Sequence, residues 1–558
     1  MKKQNLLKIF ISFALIFALL SVIVPVTAMT TAEGGTFVTI SAGSRYNMAI
    51  KSDGSLWAWG SNGWGQIGDG TYDDKLLPVK IMDDVKEIIA DYVSSFAIKN
   101  DGSLWAWGYN NLGGLGDGTT ETKLTPVKIM DDVKDIKAEY YHTIAIKNDG
   151  SLWTWGYNNF GQLGDGTYEN KFTPIKIMDD VTSIANGVES SFAIKSDGSL
   201  WAWGYNGGGQ LGDGTNEHKL TPVKIMDDVT AVNVTSSASF AIKSDGSLWG
   251  WGNNYYGHLG DGTTEHKLTP VKIMDDVTTF IGGSTSFAIK SDGSLWGWGS
   301  NSYGVINDEG IAYGKLGDGT NEIRTSPVKI MDDVTSITTG EMTIFAIKKD
   351  GSLWAWGYNG WGQLGDGTIE SKSSPVKIMD GAMAVSCGIN YTIAVKSDGS
   401  LWSWGDNGYG QLGDGTKVYK YSPVKIMDGI KINAIHSPQK ILVNGEEIEF
   451  DAYNIGGNNY FKLRDLAYVL SGTEKQFEVE WDGENQVILL TSGKPYTIVG
   501  GEMTSKDSEN KTVYPTTSKI YLNGEEVKFT SYNIGGNNYF KLSDISSVFN
   551  LSEILQEK

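Results

Sequence analysis

Eight copies of one sequence unit constrain what this chain can fold into. The motif Asp-Gly-Ser-Leu-Trp recurs at intervals of 48 residues, except for one interval of 47 and one of 58. Each copy also contains Gly-Asp-Gly-Thr and, after it, a proline followed by Lys-Ile-Met-Asp. A period of this size is typical of propellers and solenoids, in which each repeat forms one supersecondary unit.

Four short strands are predicted in the first copy, at Phe37–Ala42, Tyr46–Ser52, Ser55–Gly60 and Pro78–Met82. Each is rich in β-forming residues and bounded by turn residues. Asp53-Gly54 is predicted to form a two-residue hairpin turn, because glycine tolerates a positive φ. Four antiparallel strands make one blade, and radial closure removes the exposed sheet edges. We therefore predict an all-β fold, a single closed β-propeller of eight four-stranded blades.

The repeats also resemble a known family in the signature Trp-Gly-x-Asn-x-x-Gly-Gln-Leu-Gly. This signature spans Trp59 to Gly68 in the first copy and, more closely, Trp356 to Gly365 in another, and His142-Thr143 and Cys387-Gly388 match further pieces. Residues 36–435 thus resemble the regulator of chromosome condensation (RCC1-like) repeat family. The resemblance implies a propeller that acts on other proteins through its faces. Family members usually have seven blades, so seven plus a displaced repeat is the alternative to eight.

The tryptophans are predicted to be structural. Sixteen of the 19 lie in Trp-x-Trp strands, such as Trp57 and Trp59, and a spacing of two places both rings on one face of the strand. Packing between blades explains them, and burial of each ring contributes about 2–3 kcal/mol. The chain has only one cysteine, Cys387, so no internal disulfide is available and packing must hold the fold. Cys387 is predicted to be a buried, unreactive thiol.

No metal site or cofactor is predicted. The Gly-Asp-Gly-Thr loops supply eight aspartates, Asp69, Asp117, Asp165, Asp213, Asp261, Asp318, Asp366 and Asp414. Calcium needs about six to eight oxygen ligands, whereas each loop offers a single carboxylate, so we interpret these residues as turn-forming. The five histidines, His142, His218, His258, His266 and His436, have no zinc or catalytic spacing. Because near-identical repeats do not bring unlike groups together, no catalytic residues are predicted and the chain is not expected to be an enzyme.

One loop position is the candidate binding site. It lies two residues after the asparagine of Trp-Gly-x-Asn and is aromatic in six repeats, at Trp64, Phe160, Tyr256, Tyr303, Trp361 and Tyr409; Leu112 and Gly208 occupy the other two. We call these six residues the aromatic rim and predict that they surround one face of the propeller. They are candidates for partner binding, since Trp and Tyr dominate interface hot spots. The alternative is that each ring only covers its own turn against the adjacent blade. A second asymmetric feature, the insertion at Ser302–Lys315, is predicted to project as a loop.

The ends of the sequence predict export and a second domain. Residues 1–28 read as a signal peptide, with basic residues before a short apolar run and small residues at its end. No membrane-spanning segment is predicted in the mature chain.

A different duplication begins after Ser437-Pro438, in which the segment that starts at Ile441 is repeated 79 residues later, from Ile520. Residues 438–558 resemble the stalk domain named after the N-terminal domain of copper amine oxidases, a small β-rich domain with some α structure. No copper site is expected in this domain, because no histidine follows His436 and Met503 is the only methionine after it. The second copy ends at Lys558 without the Val-Glu-Trp-Asp hairpin of the first.

These observations predict a secreted or extracellular binding scaffold, associated with the cell envelope through its C-terminal domain. An extracellular protein is the leading partner class, and a cell-wall polymer or glycan is the alternative. A net charge of −20 and the lack of a basic stripe argue against nucleic acid. Guanine-nucleotide exchange, the activity of the family's namesake, is a remote alternative because an exported chain meets no cytosolic GTPase.

Overall fold

A computed structural model describes residues 37–558, apart from 140, 302–313, 429–431, 456–457, 483–486, 501, 504–510, 516–518, 528, 530, 535–536, 552–554 and 558. The predicted signal peptide lies outside these residues. The described residues form two compact units, the first of which ends at Met427 while the second begins at Asp428. We predicted that the propeller extends to residue 435, but the strand Ile432–His436 pairs with strands of the second unit.

The first unit contains eight four-stranded antiparallel sheets, one for each repeat. The first four blades are formed by β1 Phe37–Ala42, β2 Tyr46–Lys51, β3 Leu56–Gly60, β4 Lys75–Met82, β5 Val85–Ala90, β6 Ser94–Lys99, β7 Leu104–Gly108, β8 Lys123–Met130, β9 Val133–Glu139, β10 His142–Lys147, β11 Leu152–Gly156, β12 Lys171–Met178, β13 Val181–Asn186, β14 Ser190–Lys195, β15 Leu200–Gly204 and β16 Lys219–Met226. The other four are formed by β17 Val229–Val234, β18 Ala238–Lys243, β19 Leu248–Gly252, β20 Lys267–Met274, β21 Val277–Ile281, β22 Thr285–Lys290, β23 Leu295–Gly299, β24 Arg324–Met331, β25 Val334–Thr339, β26 Thr343–Lys348, β27 Leu353–Gly357, β28 Lys372–Met379, β29 Ala382–Cys387, β30 Tyr391–Lys396, β31 Leu401–Gly405 and β32 Lys420–Met427.

The predicted strands of the first blade match the observed ones to within one residue, except at the start of the fourth. β4 begins at Lys75, three residues before Pro78, and the register between β3 and β4 shifts over this stretch. A proline is tolerated there because an irregular outer strand does not need its N–H. The strand therefore continues on both sides of the proline.

The hairpin at Asp53-Gly54 is longer than predicted. Gly54 N donates to Lys51 O at 2.9 Å, and Lys51 N donates to Ser55 O at 3.0 Å, so the loop has three residues instead of two. Gly54 has a φ of 81°, as expected for a three-residue hairpin that ends in a left-handed glycine. Asp53 Oδ1 accepts a hydrogen bond from Ser55 N at 2.9 Å, which fixes the turn.

The apolar cores lie between consecutive blades. The second tryptophan of every Trp-x-Trp strand is fully buried, at Trp59, Trp107, Trp155, Trp203, Trp251, Trp298, Trp356 and Trp404. Each buried indole N–H donates to a main-chain carbonyl of the preceding blade at 2.9–3.0 Å. The first tryptophan is only half-buried; Trp105, for example, packs on the same core as Trp107 and donates to Ser103 Oγ at 2.9 Å. The predicted packing role is confirmed, with fuller burial for the second ring.

The first and eighth blades also contact each other. Their shared core includes Phe37, Trp59 and Tyr391. Trp59 Nε1 donates to Gln411 O at 3.0 Å, and Tyr391 Oη donates to Tyr46 O at 2.7 Å. The indole bond repeats those between the other consecutive blades, and the tyrosine bond repeats that of Tyr46 Oη to Ser94 O at 2.6 Å.

The second unit is β-rich with two short helices. Its elements are β33 Ile432–His436, β34 Gln439–Val443, β35 Glu446–Phe450, β36 Ala452–Ile455, β37 Asn458–Lys462, α1 Leu463–Leu470, β38 Phe477–Asp482, β39 Val487–Ser492, β40 Lys511–Pro515, β41 Lys519–Leu522, β42 Glu525–Val527, β43 Ser531–Ile534, β44 Asn537–Lys541, α2 Leu542–Phe549 and β45 Leu555–Glu557. Six strands form a closed sheet in the order β33-β36-β37-β44-β43-β40. Neither described helix is long and apolar enough to span a bilayer.

The duplicated segments of the second unit are related by an approximate two-fold axis. β37 pairs antiparallel with β44 so that Phe461 lies opposite Phe540, its counterpart 79 residues later. The ring of Tyr453 contacts that of Tyr539 at 5.2 Å, and the equivalent pair, Tyr460 and Tyr532, has a separation of 5.0 Å. The described part of the second copy therefore folds as the partner of the first.

Candidate binding face

The loops that carry the aromatic rim connect the third and fourth strands of each blade. In an antiparallel meander these loops lie at the same end of the blade as the turns between the first and second strands. A buried asparagine organises each loop. Asn62 Nδ2 donates to Asp69 Oδ1 at 3.1 Å and to Thr71 O at 2.9 Å, and its Oδ1 accepts from Ile67 N at 2.9 Å. The same asparagine-to-aspartate hydrogen bond recurs in the other seven loops.

Each loop aspartate is used within its own turn. Asp117 accepts a hydrogen bond from Thr119 N at 3.1 Å and pairs with Lys123 at 3.0 Å; in the sixth blade Arg324 replaces the lysine and pairs with Asp318 at 2.7 Å. Burial opposes ionisation of Asp117, but hydrogen bonds from Lys123 and Thr119 outweigh it and lower its pKa. The interpretation as turn-forming residues accounts for these contacts.

The described residues of the aromatic rim keep a large part of their surface exposed. Trp64, Tyr256, Trp361 and Tyr409 are 49, 53, 37 and 37% exposed, respectively, and Phe160 is half-buried. Tyr303 lies outside the described residues, as does most of the predicted projecting segment Ser302–Lys315. Lys315 itself is buried and its carbonyl accepts the Trp356 indole bond at 3.0 Å, so the insertion ends before this residue.

Four of the described rim rings also contact the following blade, whereas the ring of Tyr256 contacts Tyr255 and His258 of its own blade. Trp64 meets Tyr109 edge-on, with 4.8 Å between ring centroids, and Phe160 meets Tyr205 at 5.2 Å. Tyr409 of the eighth blade accepts a hydrogen bond from Arg45 of the first blade at 2.9 Å. The alternative, in which each ring covers its own turn against the adjacent blade, thus accounts for part of the contacts of these rings, and the rest of their surface is exposed.

Sequence reasoning missed the second aromatic layer of this face. Tyr109 and Tyr205 occupy the x of Trp-Gly-x-Asn, and Trp361 packs on Tyr419 at 5.5 Å. A tyrosine at x in four of eight repeats was the available signal.

Cys387 is buried, as predicted, and burial raises the pKa of its thiol.

Comparison with known families agrees with this architecture. A sequence model described as the RCC1-like domain matches residues 20–236. Models of the regulator of chromosome condensation (RCC1) repeat match residues 245–288, 350–395 and 398–437. The repeat region belongs to the RCC1-like repeat β-propeller family. Proteins of this family are typically non-enzymatic scaffolds for binding or exchange.

Similar solved structures have low sequence identity to this chain. Human WBSCR16 is 18% identical, with 69% of this chain and 96% of that chain covered and a TM-score of 0.45. Prp20p from Saccharomyces cerevisiae is 19% identical, with 64% and 82% covered and a TM-score of 0.43. A comparison with curated protein sequences returned no match.

Proposed function

We propose that this RCC1-like propeller is a secreted or cell-surface scaffold that binds an extracellular protein through the aromatic rim. The observation that carries the proposal is that Trp64, Trp361 and Tyr409 are at least 37% exposed while contacts with the next blade hold their rings. Trp and Tyr offer large contact areas with few rotatable bonds. Rings that are already held lose little further entropy on binding.

The second unit serves this scaffold as an envelope attachment or spacer. Its support is the resemblance of residues 438–558 to the stalk domain and the internal two-fold pairing of its copies. Fractionation of cells that express the full chain or a chain ending at Met427 tests this role. We expect the full chain in the envelope fraction and the shorter chain in the medium; equal distributions would contradict it.

Affinity capture from the producing cell surface, followed by mass spectrometry, tests the rim. The triple variant Trp64→Ala/Trp361→Ala/Tyr409→Ala should lose the captured protein but keep its circular dichroism spectrum and melting temperature. Tyr72→Ala/Tyr168→Ala is the matched control, because these rings are 56 and 54% exposed and lie in the same loops outside the rim. Unchanged capture by the triple variant would contradict the proposal.

A glycan partner is the second candidate, since exposed flat rings also stack on sugars. Protease treatment of the cell surface distinguishes the two partners. Protein binding predicts that this treatment abolishes capture. Capture that survives protease but is lost after enzymatic digestion of the cell-wall polymer would replace the protein partner with a glycan.

A further inference from the structure

A small pocket, open to solvent, lies between the second and third blades. Its lining includes Leu112, which holds the rim position of the second blade, and Tyr109, which packs on Trp64. The pocket therefore adjoins the aromatic rim. Asp91, Glu139 and His142 also line it.

The two carboxylates break the symmetry of the repeats. Asp91 and Glu139 are 48 residues apart and hold the same position in consecutive repeats, just before the turn into the second strand. The other repeats have a small residue there, Gly43, Gly187, Thr235, Gly282, Gly340 or Gly388. Glu139 is only 9% exposed. Asp91 Oδ2 accepts a hydrogen bond from Ser94 Oγ at 3.0 Å, whereas burial of the Glu139 carboxyl group is unfavourable in itself and is not explained by the blade fold.

His142 adds a second acceptor to the pocket. It is 1% exposed, and among the described residues nothing forms a hydrogen bond with its Nδ1. Ser191 Oγ donates its one hydrogen to Gln162 O at 2.8 Å, so it must accept from His142 Nε2, which lies 3.2 Å away. Burial lowers the pKa of His142 to about 4, and the ring is therefore neutral with its proton on Nε2. Nδ1 consequently presents a bare lone pair.

The pocket favours a positive ligand electrostatically. Burial, followed by repulsion from Asp91, raises the pKa of Glu139 well above its usual value. No lysine or arginine occurs among the described residues that line the pocket. A bound cation would oppose this rise because it stabilises the ionised form of Glu139, and it would supply a hydrogen-bond donor to the acceptor atom His142 Nδ1.

We infer that this pocket binds the primary ammonium group of a lysine side chain presented by the protein partner, with Glu139 and His142 Nδ1 as acceptors. The inference rests on the proposed function and names the partner's chemistry. The rings of Tyr109 and Tyr141 pack on each other, with 6.2 Å between their centroids, and offer an aromatic surface beside the pocket on which the methylene stem can lie. The lysine acts as an anchor beside the rim.

Titration of the full chain with Nα-acetyl-lysine amide tests the pocket without any knowledge of the partner. Nitrogen-15 spectra of labelled histidine should show a saturable change in the Nδ1 signal of His142, since an acceptor nitrogen shifts when it gains a hydrogen bond. Nα-acetyl-norleucine amide, which keeps the stem but lacks the amine, should bind at least tenfold more weakly. Equal binding of the two compounds, or no saturation, would overturn the inference.

Glu139→Gln should weaken binding of Nα-acetyl-lysine amide at least tenfold. Its matched control is Glu189→Gln, because Glu189 is a partly buried carboxylate in the following blade and does not line the pocket. Glu139→Gly restores the residue found in five other repeats and keeps the test valid if the glutamine variant is unstable. Unchanged affinity in both Glu139 variants would overturn the inference, as would equal loss in the control.

The two proposals can fail separately. If binding of Nα-acetyl-lysine amide depends on Glu139 but partner capture is unchanged in the rim variant, the ammonium site is supported and partner binding by the aromatic rim is rejected. Rim-dependent capture without any lysine amide binding would keep the scaffold function and reject the ammonium site.

Discussion

Trp59 Nε1 in the first blade donates a 3.0 Å hydrogen bond to the main-chain carbonyl of Gln411 in the eighth. The two residues are 352 positions apart in the sequence. Their bond has the geometry of the seven others that join consecutive blades. It bears directly on whether the eight blades close into one ring.

If the ring closes, Trp59→Phe and Trp203→Phe should destabilise the propeller equally. Each change removes one buried hydrogen bond and leaves a cavity, at a cost of about 2–4 kcal/mol. Urea unfolding followed by far-ultraviolet circular dichroism would measure both. If the first and eighth blades do not pack on each other, the unfolding midpoint of Trp59→Phe should stay near that of the unchanged protein.

The glycines of one loop separate backbone strain from overpacking. Gly116 and Gly118 both have a φ of 83°. A Cβ at Gly116 would lie 2.6 Å from Trp155 Nε1, whereas one at Gly118 would meet only Thr173 Cγ2 at 3.5 Å. Gly118→Ala should cost about 1–2 kcal/mol for the left-handed conformation, and Gly116→Ala about 1–3 kcal/mol more for the clash. Equal losses in thermal unfolding would show that the tryptophan moves freely.

Acid should unfold the propeller through its loop aspartates. Hydrogen bonds and the paired cation outweigh burial and lower the pKa of Asp117. A folded-state pKa below the unfolded value of about 3.9 gives stability that is present above that value and is lost as pH falls through the folded pKa. Asp117→Asn should therefore be less stable than the unchanged protein at pH 7, by about 1–3 kcal/mol, and the difference should shrink below about pH 3.9. A difference that is the same at pH 7 and pH 3 would contradict this assignment.

The blade architecture could be predicted because every local signal is repeated eight times. Strand ends followed from β-forming runs between turn residues, and they failed only where tertiary pairing decided the outcome. β4 continues through Pro78 because its register shifts there, and the Asp53 turn has a third residue because Lys51 pairs with Ser55. Neither fact is encoded in residue preferences alone.

The candidate site was less predictable for a physical reason. The repeat pattern identified Trp64 and Trp361 as loop residues but gave no account of the rings beneath them, such as Tyr109. The repeat pattern also did not predict the pocket, because Asp91 and Glu139 lie in different blades and line one pocket only when these blades pack side by side. A carboxylate at a position that is otherwise glycine or threonine was the one signal in the sequence.

The second unit should unfold as a single structure formed by both of its copies. Phe461 and Phe540 are opposite each other on β37 and β44, both are fully buried, and their core contains residues of both copies. Phe461→Ala should cost about 3–5 kcal/mol because it leaves a cavity. Hydrogen exchange should then speed up in α1 and α2 together, although only α1 belongs to the altered copy. Tyr468→Ala is the control, since this ring is 42% exposed on α1 and its removal should change stability by less than about 0.5 kcal/mol. Faster exchange confined to α1 would show instead that each copy holds its own structure.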